Sequence, residues 1–411
     1  MPISNPPTSD SAAPQQFNET LLLLILAGIQ FTHLVDFIII MPLGAQLMEI
    51  FQITPQQFSW IVSSYAGSAC VMGFLSALFI DRFDRKTALL SLYVGFTIGT
   101  IACSFSSSYE FFLLARSFTG AFGGILAALV LSIIGDVFPF ERRAQATGTV
   151  MTAFSVASVV GVPAGLYFAA EFGWRAPFLI VGGLSAVVCL IAFFVTPSMR
   201  GHLLSGKIQR NPVKIITNIT SDPNQLKALL FNVVLVLGHF SIIPFIAPYM
   251  QINIGFDEYQ ITYVYIVGGI FTVVLLPLFG KLSDRFGNPQ VFTIASVGAL
   301  FSIFAITNLP PVSIALALVV TSSYFVVSSG RTVPATTLVT SVVKPENRGS
   351  FMSVRSSLVE LALAVGSLIA GSIIVNDPVT GTLQNYHLVG YFAIGMSILA
   401  VVLVWRLRAI D

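Results

Sequence analysis

The chain has 411 residues, of which 55% are hydrophobic and only 9% are charged, and its mean hydropathy is +0.87. Soluble domains carry roughly 25% charged residues, so this chain lacks the polar surface that a water-facing globule needs. The 20 basic and 18 acidic residues leave a net charge of +2, which gives no indication of nucleic-acid binding. Most of the exterior is therefore predicted to face lipid.

In chain order, a polar segment rich in Pro and Ser comes first (1–19) and is predicted to be disordered. Twelve apolar segments of about 20 residues follow, the length that a helix needs to cross a bilayer. They are predicted at 20–43, 57–80, 87–106, 109–134, 144–169, 176–197, 227–250, 259–280, 290–307, 311–335, 350–375 and 387–407. A polar linker (198–226) separates the two predicted six-helix units, 20–197 and 227–411.

The basic residues predict the orientation of this all-α membrane protein. Sixteen of the 20 Lys and Arg residues fall in loops or ends on one side, and only Arg175 lies on the other. Because basic loops stay in the cytoplasm, both termini and the linker are predicted to be cytoplasmic.

The two halves repeat each other. An Asp-Arg-Phe sequence follows both the second and the eighth span, with Asp81 and Asp284 203 residues apart. His33 in the first span and His239 in the seventh each precede a proline by nine residues. A duplicated six-helix unit predicts two pseudo-symmetric bundles, with a substrate site between them and alternating access to the two sides.

The loop after each Asp-Arg-Phe sequence is similar to the loop signature of the major facilitator superfamily, a resemblance that covers essentially the whole chain after residue 20. The second-half copy is the better match, with the residues Gly280, Asp284 and Arg285. The first-half copy keeps Asp81, Arg82, Arg85 and Lys86 but has Ala77 and Asp84 where glycines are usual.

Two further motifs support the resemblance. The segment LLARSFTGAFGG (113–124) is similar to the fourth-helix motif with its intramembrane Arg116. The segment SVVGVPAG (158–165), followed by GWRAPF (173–178), is similar to the fifth-helix antiporter motif. Its helix-packing residues would be Gly161, Pro163 and Gly165. The chain most resembles the twelve-helix drug:H⁺ antiporters and sugar-efflux members.

The resemblance implies roles for several of these residues. Arg116 would modulate proton transfer, or else form a fixed salt bridge. Asp81 and Arg85 would form a cytoplasmic gate network with Asp136, at the end of the fourth span, and tie the two halves together in the outward-open state. The alternative is a solvated face that only sets topology. The family also implies a monomer that moves a small molecule and is not an enzyme.

Five ionisable side chains besides His are predicted inside spans: Asp36, Arg116, Arg331, Arg355 and Glu360. A charge at mid-membrane costs at least about 2.5–3.5 kcal/mol, so these groups are predicted to face a watery cavity or to pair. Asp36, with His33 three residues earlier on the same helical face, is the predicted proton-coupling site, together with Arg116 and Glu360. The alternative for Asp36 is a static tie between helices.

The second half is predicted to supply substrate contacts. These are His239, Arg331 and Arg355, and an ion pair between Arg331 and Glu360 is plausible from their positions. The five charges sum to +1, which favours neutral, amphiphilic or anionic substrates.

No enzymatic or nucleotide-binding motif is found in the sequence. The segment GHLLSGKI (201–208) nearly matches a P-loop, but Ile208 stands where a Mg²⁺-binding hydroxyl is required. Cys70, Cys103 and Cys189 have no metal-ligand spacing. No metal, cofactor or nucleotide is therefore expected.

These observations predict a proton-coupled exporter of a drug, sugar or metabolite, placed in a bacterial inner membrane in contact with lipid. One alternative is a symporter or facilitator that takes up a nutrient or lipid. Another is a membrane receptor that does not transport, which would have no need of the two intramembrane charges Asp36 and Arg116.

Overall fold

The computed structural model describes residues 18–76, 80–199, 217, 219, 221–344 and 348–408. The side chains of residues 81, 140 and 144 are also outside the description. Most of the predicted N-terminal segment and of the predicted linker therefore lies outside the described residues.

Twelve helices within the described residues are long and apolar enough to cross a membrane, which confirms the predicted fold class. The first six are α1 (Glu19–Ile39), α2 (Pro55–Ser76), α3 (Arg85–Ser104), α4 (Tyr109–Val137), α5 (Glu141–Phe172) and α6 (Ala176–Val195). The last six are α7 (Pro223–Ile254), α8 (Glu258–Phe286), α9 (Asn288–Thr307), α10 (Ile314–Ser341), α11 (Arg348–Ile373) and α12 (Tyr386–Val404).

Helix packing repeats in the two halves. Helix α1 packs against α5 and α6 as α7 packs against α11 and α12, and α4 packs against α2 and α3 as α10 packs against α8 and α9. The halves meet along two seams, α2 with α11 and α5 with α8. This is the pseudo-symmetric pair of bundles that the repeated sequence predicts.

Two features near the ends of spans differ from the predicted segments. Helix α1 ends at Ile39, before a turn that contains Pro42, because proline has no N–H to continue the helical hydrogen bonds. A short helix, Gly44–Ile50, follows the turn. Between α11 and α12 lies a two-stranded antiparallel hairpin, β1 (Val375–Asn376) and β2 (Leu383–Gln384), which the sequence did not reveal.

We call the side of the bundle at the α2–α3 and α4–α5 junctions the basic face, and the other side the opposite face. Near the opposite face, α2 and α11 are in contact, since a side chain at Gly371 would overlap Ser59. At three glycines nearer the basic face, no such overlap occurs. A Cβ added at Gly73 of α2, Gly148 of α5 or Gly280 of α8 would have no described atom within 4 Å. The hydrogen bonds that join the halves within the described residues lie at the opposite face, and none joins them at the basic face. We therefore describe the structure as closed at the opposite face and open at the basic face.

Candidate functional site

A fully buried ion pair joins α1 and α4. Arg116 Nη1 lies 2.9 Å from Asp36 Oδ2, and neither side chain is exposed at all. The same nitrogen donates to the backbone carbonyl of Asp36 at 3.3 Å. Because an unpaired charge at this depth is far more costly than a paired one, each group holds the other in place.

The pair is incompletely hydrogen-bonded. Asp36 Oδ1 and two guanidinium nitrogens of Arg116, Nε and Nη2, are buried without a partner among the described residues. The Thr100 hydroxyl of α3, a neighbour of the Asp36 carboxylate, is also buried without a hydrogen-bond partner among the described residues. Buried polar atoms are satisfied in the great majority of cases, so unsatisfied atoms clustered at one ion pair mark a candidate functional site.

Tyr65 of α2 completes this centre. Its ring lies 4.5 Å from Arg116 Cζ, in a cation–π contact, and 5.4 Å from the ring of Phe37. Helix α4 can approach because Gly120 has no side chain, and any Cβ there would overlap the Tyr65 carbonyl. Tyr65 was not predicted from the sequence, because aromatic residues are common in membrane spans. The glycines of the fourth-helix motif, which let α4 approach it, were the available signal.

His33 lies one turn nearer the basic face than Asp36. Its half-buried ring lies 6.3 Å from the ring of Tyr65 and 5.9 Å from that of Phe96, and its Nδ1 has no partner in the described part of the chain. His33 and Arg116 thus share Tyr65 as a neighbour.

The glycines of the fifth-helix motif place α5 against α1 beside Asp36. A Cβ at Gly161 would overlap Val35, and one at Gly165 would lie 2.8 Å from Ile39. Just before Pro163, α5 widens into a π-helical turn, Ala157–Gly161, a local feature that often accompanies function. The motif therefore fixes the position of the α1 segment that carries the ion pair.

In the second half, Arg331 is buried at the break in α10 between Gly330 and Thr332. It is 1% exposed, and its Nη1 donates to Ser397 of α12 at 3.0 Å. Its Nε has no described partner. His239 of α7 stacks on Tyr324, with Nδ1 3.3 Å from the tyrosine hydroxyl.

The ion pair between Arg331 and Glu360, which their positions in the sequence made plausible, is not formed within the described residues. Arg331 is directed towards α12. Glu360 lies on the face of α11 that carries Ser367, which contacts α2. Glu360 is half-buried and forms no hydrogen bond or ion pair with any described residue. Arg355, also half-buried, donates from Nε to Asn232 Oδ1 of α7 at 3.1 Å.

At the basic face, Arg85 and Asp136 form the contact that the gate motif predicts, with 2.9 Å between Nε and Oδ2. The side chain of Asp81 lies outside the described residues. Because Arg85 begins α3 and Asp136 lies near the end of α4, this pair links two helices of one half. It does not tie the halves together in this conformation, which is open at the basic face.

The other residues of the first loop act locally. Asp84 caps α3 by accepting from the backbone N–H of Lys86 at 2.9 Å, and also accepts from the N–H of Met199 at 3.0 Å and from the hydroxyl of Ser198. Lys86 Nζ lies 5.7 Å from the Phe193 ring, and Arg82 is exposed. The unusual Asp84 thus fastens the loop to the end of α6.

The second-half copy of the loop has no equivalent network. Asp284 and Arg285 are exposed, and neither forms an ion pair within the described residues. Arg285 instead lies 5.1 Å from the ring of Phe286. The two halves therefore differ in the contacts of their predicted gate residues, although their loop sequences repeat.

The polar contacts between the halves at the opposite face were not anticipated from sequence. Ser367 donates to the Ser59 carbonyl at 3.4 Å along the α2–α11 seam, and Tyr259 donates to Glu171 at 2.8 Å along the α5–α8 seam. Gln46 also donates to Glu258. These contacts close the opposite face.

The family model of the Major Facilitator Superfamily matches residues 26–331 and again residues 228–411. The "Probable sugar efflux transporter" of Mannheimia succiniciproducens is 24% identical over 257 residues, which are 62% of this chain and 62% of that protein. The "Inner membrane transport protein YdhP" of Escherichia coli is 27% identical over 228 residues, 56% of this chain and 57% of its own length. Both matches cover less than two thirds of the relative.

Two solved structures show the same fold. A bacterial homologue of the human lysosomal transporter Spinster, in an inward-facing and occupied conformation, has a TM-score of 0.78 at 17% identity and covers 96% of this chain and 97% of that one. The D-xylose–proton symporter has a TM-score of 0.77 at 16% identity and covers 95% and 98%.

The twelve-helix fold and its buried intramembrane site define a multi-pass membrane transporter. The chain belongs to the Major Facilitator Superfamily. Its family and relatives are transporters and not enzymes.

Proposed function

We propose that this protein exports a small organic compound, amphiphilic or hydrophobic, in exchange for protons. The observation that carries the proposal is the Asp36–Arg116 pair, which has no exposure to either face and leaves Asp36 Oδ1 without a described partner. A carboxylate held in this way is the group through which a proton can be carried between the two sides.

The coupling follows from the chemistry of the pair. When Asp36 takes up a proton, the attraction that holds Arg116 is lost, and the guanidinium must find other acceptors or solvent. Since α1 and α4 are each packed against the rest of the first half, this loss favours a rearrangement of that half. Release of the proton restores the pair.

The orientation is part of the proposal. Basic loops are retained in the cytoplasm, so the basic face would be cytoplasmic, with both termini on that side. The opening at the basic face would then give access from the cytoplasm, where an exporter takes up its substrate. A monomer surrounded by lipid suffices for this cycle.

The proposed direction of transport, export, is supported by the resemblance of the sequence to efflux transporters. The Gly161-Val162-Pro163 order is that of the efflux branches that the sequence resembles, and one relative is named as a probable sugar efflux transporter. The fold itself does not set direction, since a D-xylose–proton symporter shares it.

The test is accumulation of ethidium and of isopropyl thiogalactoside in energised bacterial cells that lack their own efflux pumps. Wild type is expected to lower accumulation of at least one probe, and both a protonophore and Asp36→Asn should abolish that effect. Glu110→Gln, an exposed acid at the start of α4, is the matched control and should behave as wild type.

Two outcomes would contradict the proposal. Uptake that rises with the wild-type protein would identify a symporter or facilitator. Export that persists in Asp36→Asn would leave the Asp36–Arg116 pair as a static tie between helices.

A further inference from the structure

We propose that the transported compound carries a positive charge, and that Glu360 recognises it beside a cluster of aromatic rings to which both halves contribute. This inference rests on the proposed function, because it names the substrate class of that transporter. It begins from the charges that a compound entering from the basic face can meet.

The net charge of +1 summed over the five intramembrane side chains does not tell which of those charges a substrate can contact. Arg116 is neutralised by Asp36, and Arg331 is 1% exposed and bonded to Ser397. Arg355 is bonded to Asn232 of α7. Glu360 is left as the half-buried acid that has no partner among the described residues. Of the five charged side chains, Glu360 is the one that forms neither an ion pair nor a hydrogen bond within the described residues. We therefore expect it to attract a cation, in contrast to the neutral or anionic compounds that the sequence favours.

Glu360 lies where the seam between the halves begins to open. Glu360 is two helical turns before Ser367 on the same face of α11, and Ser367 contacts Ser59 of α2. Because α2 and α11 run antiparallel, Glu360 is level with the segment from Tyr65 to Cys70 of α2. One turn beyond Cys70, Gly73 has no described neighbour for a Cβ. The carboxylate is thus between the closed part of the α2–α11 seam and its open end, within reach of a compound that enters from the basic face.

Aromatic side chains of both halves meet next to this part of α2. The Phe37 ring lies 5.4 Å from Tyr65 and 6.3 Å from Phe240 of α7, whose ring is 5.3 Å from that of His239. The Tyr65 hydroxyl is buried without a described partner. A carboxylate beside several aromatic faces is the combination that binds organic cations, since the rings offer cation–π attraction and apolar area together.

The test uses two probes of the same shape and opposite charge, tetraphenylphosphonium and tetraphenylborate, in equilibrium binding to the purified full-length protein in detergent micelles. Wild type is expected to bind the cation at least about tenfold more tightly than the anion. Glu360→Gln should weaken cation binding by about tenfold or more and leave anion binding equal or stronger, because one buried charge is removed.

The controls separate this inference from its alternatives. Glu360→Asp, which keeps the charge, should retain the preference for the cation, and Glu110→Gln should bind both probes as wild type does. Unchanged cation binding in a folded Glu360→Gln protein overturns the inference, and so does an equal loss of both probes. Binding in micelles needs no proton gradient, so a failure of proton-coupled export would leave this result interpretable.

Discussion

A fully buried ion pair stabilises a protein only while both partners are present. The desolvation of each ion costs several kcal/mol, which the contact between Asp36 and Arg116 offsets as long as it is made. By contrast, the Glu19–Arg142 pair at the basic face is 40% and 54% exposed, and pairs of that kind contribute about 0–1 kcal/mol.

We expect Asp36→Ala to lower the free energy of unfolding by about 3–5 kcal/mol, because Arg116 would stay buried without its counter-ion. The double variant Asp36→Ala/Arg116→Ala should lose clearly less than the sum of the two single variants. Unfolding by denaturing detergent in mixed micelles measures both quantities.

Glu19→Ala is the exposed control and should change stability by no more than about 1 kcal/mol. If the losses in free energy of unfolding of Asp36→Ala and Arg116→Ala simply added in the double variant, the two residues would not be energetically coupled.

At this scale the sequence reveals which charges are unusual but not where they point. Asp36 and Arg116 stand out because each interrupts an apolar span. Arg331 and Glu360 stand out in the same way, and yet they do not pair, since the direction of a side chain depends on the rotation of its helix within the bundle. Tyr65 could not be recognised in the same way, because an aromatic residue does not stand out in an apolar span.

At the scale of elements, helix α5 acts as a support for α1. Its small residues let the two backbones approach where Gly161 faces Val35 and Gly165 faces Ile39, on either side of Asp36 in the sequence. Small residues at such contacts are the usual means by which membrane helices approach closely.

We expect Gly161→Ala to destabilise the protein by about 1–3 kcal/mol and to reduce transport, because the added methyl group overlaps Val35 and displaces α1. Gly148→Ala in the same helix has no described neighbour to meet and should be neutral or slightly stabilising. Thermal unfolding and probe export, measured on the same variants, test both expectations.

Val35→Ala combined with Gly161→Ala should recover part of both losses, since it removes the Val35 methyl group that the new methyl group overlaps most closely. Failure of this rescue would contradict the overlap with Val35 as the cause of the losses.

The secondary-structure elements that could be predicted from the sequence are those that hydropathy alone determines. All twelve spans are present, because each needs a run of about 20 apolar residues whatever its neighbours. The ends of α1 and the β1–β2 hairpin were not predicted. They depend on the turn at Pro42 and on Asn253 of α7, which exchanges two hydrogen bonds with the Leu383 backbone from a distant part of the chain.

At the scale of the molecule, the two halves use their repeated sequences differently. Both carry the loop motif, but the network at Arg85 and Asp136 is present in the first half, whereas the described residues around Asp284 form no ion pair. Both carry a buried arginine, but Arg116 has a counter-ion and Arg331 is bonded to a serine hydroxyl. The duplication thus supplies the scaffold, and the charges are specialised in each half.

The closed opposite face and open basic face predict which cysteine pairs can be linked. In a background with Cys70, Cys103 and Cys189 replaced by alanine, Ser59→Cys/Ser367→Cys should form a disulfide readily in the resting protein. The two serines are already in contact across the α2–α11 seam, and cysteine adds little volume. The measurement is the gel mobility of a chain cut between the halves, with and without reductant.

Linking this pair should stop transport, and a reductant should restore it, because alternating access requires the seam to open at this end. The matched pair Gly148→Cys/Gly280→Cys, near the open ends of α5 and α8, should stay unlinked in the resting protein. If that pair linked first, the protein would rest with its basic face closed, and the Arg85–Asp136 network would then be acting in the closed gate that the family resemblance implies.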